Sequence, residues 1–127
     1  MKAVKKMRVD DFRFGSIEID GKKYGKDVLI GADGSIGKRK GGFLKFGSHR
    51  ISREELEDLA RKGGKPAVLI VGLGTSSAAK LDPGVEDWAR QAGIELVAVS
   101  SAEATERYNA EQEKGSGKVA ALIHITC

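Results

Sequence analysis

A loop rich in glycine and hydroxyl side chains is the part of this sequence best suited to bind a ligand. The run Gly72-Leu-Gly-Thr-Ser-Ser-Ala-Ala79 follows a continuous apolar stretch, residues 67–71, which predicts a strand buried on both faces. Open α/β sheets bind ligands at the carboxyl ends of such strands. The backbone amides around Gly72 and Gly74 could form a concave site for an anion. Its hydroxyl side chains are Thr75, Ser76 and Ser77. The 72–77 loop is therefore the candidate site for a small anionic ligand.

The spacing of this loop matches neither of the common nucleotide-binding motifs. The dinucleotide fingerprint needs a third glycine at a fixed distance, and the phosphate loop needs Gly-Lys followed by Ser or Thr. Neither pattern follows Gly74. A plain turn that needs small residues for packing is the alternative interpretation, and the sequence leaves it open.

Four further polar positions could contribute to a site. Asn109 follows Tyr108 late in the third predicted helix, where asparagine is unfavourable because its amide competes for backbone groups. We therefore expect a specific hydrogen bond from Asn109, either to the protein or to a ligand. His49 precedes the first predicted helix without a recognisable nucleophile and acid, so a helix-entry histidine is the alternative. His124 alternates with isoleucines on the last predicted strand and is expected to face a polar side. No residue is predicted to be catalytic.

Composition excludes several classes of protein. The 127 residues predict one domain over 1–127, with residues 1–8 as a flexible N-terminal segment. The apolar runs are too short to span a membrane, and the first residues do not resemble a signal peptide. Cys127 is the single cysteine, and there are only two histidines, which argues against disulfides and structural zinc. We expect a soluble cytoplasmic protein without a metal or a cofactor.

The charge is distributed unevenly along the chain. The formal net charge of +4 divides into +7 over residues 1–66 and −3 over residues 67–127. Such asymmetry can mark a nucleic-acid face. Here the basic residues stand in short clusters with acids between them, and aromatic residues make up only 6% of the chain. We therefore do not expect nucleic acid as the partner.

Two styles of secondary structure follow each other along the chain. Residues 9–48 predict an antiparallel meander, with turns at Asp20-Gly21 and Asp33-Gly34 and a break at residues 40–42. From residue 49 the pattern is β-α-β-α-β, which predicts an α/β fold with parallel neighbours. The predicted helices start at the capping box Ser52 with Glu55, at Asp82-Pro83, and at Ser100 with Glu103. The predicted strands cover residues 67–71, 94–99 and 118–125.

The order of these segments resembles a small single-domain α/β family of unknown biochemical function. Its members include a mitochondrial complex I assembly factor and an adipogenesis-associated protein. The matching pieces are Phe12-Arg-Phe-Gly-Ser-Ile-Glu-Ile-Asp-Gly21, Asp27-Val-Leu-Ile30, Leu69-Ile-Val-Gly-Leu-Gly-Thr75, Arg107-Tyr-Asn109 and Val119-Ala-Ala-Leu-Ile123. The resemblance implies a three-layer domain with a central mixed sheet and no established catalytic activity. It also implies one surface cleft that contains Gly72, Gly74, Thr75, Tyr108 and Asn109, with His49 as a looser match.

Together these observations favour a non-catalytic protein-interaction or assembly module with a small surface cleft. The absence of a catalytic constellation and the resemblance to an assembly factor support this interpretation. The alternative is a protein that binds or processes a small anionic metabolite at the 72–77 loop.

Overall fold

Ten strands and three helices make up the computed structural model, which describes residues 7–39, 50–115 and 118–126. In chain order the strands are β1 (Val9–Arg13), β2 (Ser16–Ile19), β3 (Lys22–Tyr24), β4 (Val28–Ile30), β5 (Ile36–Lys38), β6 (Arg50–Ile51), β7 (Val68–Gly72), β8 (Lys80–Leu81), β9 (Glu95–Val99) and β10 (Val119–Ile123). The helices are α1 (Arg53–Lys62), α2 (Val85–Ala92) and α3 (Ser101–Lys114). Residues 40–49, which include the predicted break and His49, lie outside the described residues.

The predicted N-terminal meander divides between two sheets. Strands β1, β2 and β3 form an antiparallel sheet of their own, and β6 with β8 forms a short parallel pair. The predicted turn between β2 and β3 is confirmed, because Asp20 and Gly21 both have positive φ, at 50° and 82°. The hairpin of β4 and β5 instead joins the central sheet.

The central sheet is mixed, as expected, and its strand order is β5-β4-β10-β7-β9. Strand β10 runs parallel to β7, which runs parallel to β9, whereas β4 is antiparallel to β10. All five residues of β10 are buried, because helices or strands cover both faces of the sheet. The last strand of the chain order is therefore the middle strand of the sheet.

Two apolar cores confirm the three-layer architecture. On one face, β7 and β10 pack against the buried side chains of α1 and α2, including Leu56, Leu59 and Val85. On the other face, β7 and β10 pack against α3 and the β1–β3 sheet, with Ile17 and Tyr108 fully buried. Each core removes apolar surface from water, which is the main force that holds such layers together.

The capping predictions for α1 and α3 are confirmed, and the one for α2 is wrong. Ser52 and Glu55 form the expected reciprocal capping box, and Ser100 accepts a hydrogen bond from the Glu103 amide. Helix α2 starts after Gly84, which has φ 92° and provides no side-chain cap. Asp82 lies two residues before this N-cap, and its carboxylate pairs instead with the Arg50 guanidinium over 2.7 Å.

We predict that Gly72→Ala destabilises the protein by about 1–3 kcal/mol. A Cβ at Gly72 would lie 2.7 Å from Ser101 Oγ and 3.0 Å from Ser101 Cα, so the N-terminus of α3 would have to move away from β7. Urea denaturation monitored by circular dichroism gives the free energy of unfolding. Gly25→Ala is the matched control, because a Cβ there meets nothing within 4 Å. Equal losses in both variants would contradict the prediction.

Candidate functional site

The 72–77 loop is fixed to α3 and to the end of β10 through Ser101. The Gly74 amide donates to Ser101 Oγ over 2.8 Å, and the Ser101 amide donates back to the Gly74 carbonyl over 3.0 Å. Ser101 Oγ in turn donates to the His124 carbonyl. Gly74 has φ 105°, a conformation that side chains other than glycine rarely adopt. The second glycine of the motif is therefore explained by the local backbone.

Most backbone amides of this loop already have acceptors within the protein. The Thr75 amide donates to the Thr126 carbonyl over 2.8 Å, and the Ser77 amide donates to the Gly74 carbonyl over 3.2 Å. The amides of Leu73 and Ala79 also donate to backbone carbonyls. The side chains of Thr75, Ser76 and Ser77 remain exposed. The loop thus presents hydroxyl groups to solvent, rather than the row of unused amides that an anion nest requires.

His124 faces other polar side chains, but it is buried among them and does not lie on a solvent-exposed side of the strand. It is 1% exposed, because β10 is covered on both faces and the chain stays buried just beyond its end. His124 Nδ1 lies 2.7 Å from Asp27 Oδ2, and Nε2 lies 3.1 Å from Thr126 Oγ1. A buried imidazole needs such partners, since an unpaired polar group in the core is costly.

Asp27 is the centre of a buried polar network, which we call the Asp27 network and which consists of Asp27, Arg39, Glu55 and His124. The Oδ1 atom of Asp27 accepts a hydrogen bond from the Ile125 amide over 2.9 Å, and its Oδ2 atom accepts one from the Arg39 guanidinium over 3.0 Å. Burial alone would raise the pKa of Asp27. The hydrogen bonds from His124, Ile125 and Arg39 outweigh that effect and leave the pKa below its ordinary value. Asp27 is therefore held in its charged form.

Arg39 connects Asp27 to the start of α1. Its guanidinium forms a bidentate pair with Glu55, at 2.7 and 3.0 Å, and also donates to the Arg50 carbonyl. Burial opposes the charge on Arg39, but the two carboxylates raise its pKa further above the ordinary value. Glu55 also accepts from the Ser52 amide in the capping box. The Asp27 network therefore joins β4, β5, β10 and α1 through charges.

Sequence reasoning missed the Asp27 network because its members are far apart in the chain. Asp27 immediately precedes β4 and His124 immediately follows β10, and the two strands pair with Ile123 opposite Val28. Only this antiparallel register brings the two side chains together. The order of the strands in the sheet would have predicted this contact. Residues that flank two paired strands are neighbours in space.

Tyr108 and Asn109 have partners at β1 and within α3. The hydroxyl of Tyr108, which is fully buried, accepts from Gln112 Nε2 over 2.9 Å. Asn109 Oδ1 accepts from the Val9 amide over 2.9 Å, and Asn109 Nδ2 donates to the Val9 carbonyl over 2.8 Å. The side chain thus pairs with β1 as another strand would. Asn109 also borders a depression of about 170 Å³ beside Met7. These contacts serve the structural use expected of the asparagine.

A separate cleft lies between α1 and the β4–β5 hairpin. Its volume is about 410 Å³, and its apolar side chains include Leu29 and Leu59. Gly37 leaves room in it, because a Cβ there would meet nothing within 4 Å. Of the site residues predicted from the sequence, none that the structure describes lines this cleft.

The described parts of the chain contain neither a metal-binding cluster nor a helix that could span a membrane. Within residues 7–39, 50–115 and 118–126, no three His, Cys, Asp or Glu side chains are grouped so as to hold a metal ion. No helix in these same ranges combines the length and the apolar character needed to cross a membrane.

The layers and the strand order define a small α/β domain with a mixed five-stranded sheet. The chain belongs to the family described as a protein of unknown function (DUF498/DUF598), whose model matches residues 9–124. The family resemblance inferred from the sequence is thereby confirmed.

Solved structures share this fold over nearly their whole length. The protein MT938 is 31% identical with a TM-score of 0.78, and the match covers 95% of this chain and 99% of that one. A conserved hypothetical protein from Pyrococcus horikoshii OT3 is 29% identical with a TM-score of 0.79, over 94% and 99% of the two chains. An outer membrane protein from Bartonella henselae is 14% identical with a TM-score of 0.79 over 98% of each chain, which shows the fold alone.

We predict that Asp27→Asn lowers the free energy of unfolding by about 3 kcal/mol near neutral pH, because the buried Arg39 loses one of its two carboxylates and His124 loses its charged acceptor. Because the pKa of Asp27 is lowered by folding, its stabilising effect is complete above the unfolded-state pKa of about 3.9. The effect is lost as the pH falls through the lower folded-state pKa. Urea denaturation of both proteins from pH 7 to pH 3 should show their difference shrink at the acid end. A difference that stays constant over this range would contradict the prediction.

We predict that Asn109→Ala destabilises the protein by about 1–3 kcal/mol, because the backbone amide and carbonyl of Val9 lose their partner. Thermal and urea denaturation measure the loss. Gln91→Ala, at an exposed position of α2, is the matched control and should leave stability unchanged or slightly higher. If Asn109→Ala is as stable as the control, Asn109 does not hold β1 in place.

Proposed function

We propose that this protein is a protein-interaction module of the assembly type. Its partner docks on the carboxyl-edge surface, defined as Phe14, Thr75, Ser76, Ser77 and Ala78. The observation that carries the proposal is Phe14, whose 64% exposure is unusual for a phenylalanine. It is the one large apolar side chain that is exposed among the described residues. Exposed aromatic side chains are typical anchors of protein interfaces.

The carboxyl-edge surface is supported from beneath by hydrogen bonds to consecutive residues. The Gly15 amide, next to Phe14, donates to the Ile125 carbonyl over 2.7 Å. The Thr75 amide donates to the Thr126 carbonyl over 2.8 Å. The hairpin turn and the 72–77 loop are thus fixed to the same dipeptide. A fixed anchor loses little conformational freedom when a partner binds, which favours affinity.

Two further observations favour a protein partner over a small anion. The amides of the 72–77 loop already donate within the protein, so an anion would meet mainly hydroxyl groups there. The family resemblance also includes an assembly factor, a role that is exercised through contacts with other proteins. We further propose that 1–127 acts as a single domain and works in the cytoplasm, where a chain with one cysteine needs no disulfide.

We predict that Phe14→Ser weakens binding of the partner at least tenfold, as expected for the central anchor of an interface. A photo-crosslinking phenylalanine analogue at position 14 should capture the partner from an extract of the source organism. The same analogue at Gln91, which is exposed on α2, is the control position. The purified partner is then titrated against wild-type protein, Phe14→Ser and Gln91→Ser.

Equal capture at positions 14 and 91, or equal affinity for all three proteins, would overturn the proposal. A thermal-shift experiment with phosphate and nucleotides tests the alternative separately. A rise in Tm with one of these anions that Thr75→Ala abolishes would favour an anion site at the loop.

A further inference from the structure

Three side chains near the end of β10 form a continuous series of hydrogen bonds from a hydroxyl to a carboxylate. Thr126 Oγ1 lies 3.1 Å from His124 Nε2, and His124 Nδ1 lies 2.7 Å from Asp27 Oδ2. This is the order of a nucleophile, a general base and an orienting acid. Such an arrangement is recognised by its geometry and roles, not by the sequence positions of its members.

The protonation states that this chemistry needs follow from the surroundings of Asp27. An ionised carboxylate only accepts hydrogen bonds, and Arg39 and the Ile125 amide favour the ionised form of Asp27. In the neutral imidazole, His124 Nδ1 therefore carries the proton and donates it to Asp27. Its Nε2 is then an acceptor, and the Thr126 hydroxyl donates to it.

Thr126 is less buried than the base beside it. Thr126 is half-buried, and its carbonyl accepts from the amide of the exposed Thr75. His124 is 1% exposed, and its carbonyl is held by Ser101. The hydroxyl thus stands at the carboxyl edge of the sheet, where α/β folds place their sites, with a base that its neighbours prevent from turning away.

We propose that Thr126 is an acyl-accepting nucleophile, with His124 as its general base and Asp27 as the residue that positions His124. The substrate class is an activated ester or thioester of a small carboxylic acid. Thr126 Oγ bonds to the acyl carbon as its proton passes to His124 Nε2. The bond to the leaving oxygen or sulfur then breaks, and the leaving group takes that proton. Water, deprotonated by His124, hydrolyses the acyl-threonine ester and restores the hydroxyl.

The test uses p-nitrophenyl acetate with the full chain, and locates the acetyl group by peptide mass spectrometry. We expect acetylation of Thr126 and release of p-nitrophenol near neutral pH. His124→Gln should slow acetylation at this residue at least about 100-fold. Asp27→Asn should slow it at least about tenfold, and Asp27→Glu, which keeps a carboxylate, should restore part of the rate.

Substitutions of Thr126 separate loss of the hydroxyl from loss of the fold. Thr126→Ser should still be acetylated at position 126, whereas Thr126→Val should not, and circular dichroism shows whether both are folded. Thr105→Val removes a buried hydroxyl of α3 and is the control that should react as wild type. Acetylation of Thr126 is measured without a protein partner, so failure of the interaction proposal and failure of this one can be told apart.

Two results would overturn the proposal. One is acetylation confined to lysines or to Cys127 while Thr126 stays unmodified. The other is a rate of acetylation at Thr126 that is the same in wild type and in His124→Gln. Either result would leave the Asp27–His124 pair with a purely structural role.

Discussion

The burial of β10 on both faces is the constraint on which the rest of the structure depends. This strand pairs with β4 on one side and β7 on the other. It therefore joins the β4–β5 hairpin to the parallel strands β7 and β9. Both cores include its side chains, Ala120 and Leu122 on one face and Ala121 and Ile123 on the other. Substitutions in β10 therefore disturb one core or the other, according to the face on which the side chain lies.

The same constraint explains why charged groups gather where β10 ends. Beyond Ile123, the buried His124 imidazole and the Ile125 backbone amide need hydrogen-bond partners outside the strand pairing. Asp27 provides an acceptor for both. Arg39 balances the charge of Asp27, and Glu55 in turn pairs with Arg39. Removing one member of such a network leaves its neighbours uncompensated in a poorly solvated place. The carboxyl-edge surface is built directly on this support.

Local signals in the sequence predicted most of the elements, and contacts between distant segments explain the failures. Turn glycines, the Ser52 capping box and the apolar run before Gly72 depend on neighbours within a few residues, and all are confirmed. The predicted start of α2 was wrong: Asp82 pairs with the distant Arg50, and the helix begins after Gly84. The burial of His124 was not predicted, because alternation indicates an exposed polar face only for a strand with one side in water. The Asp27 network needed the strand order, which the pattern of residues did not contain.

The place of β10 in the chain also has a consequence for synthesis. Every other element precedes it in the chain order, yet β4 and β7 have no common neighbour until residues 119–123 take their place between them. While the chain is still emerging from the ribosome, both strands carry open edges and apolar faces without a cover. The central sheet can close only after synthesis has passed residue 123, so chaperone protection would matter most until that point.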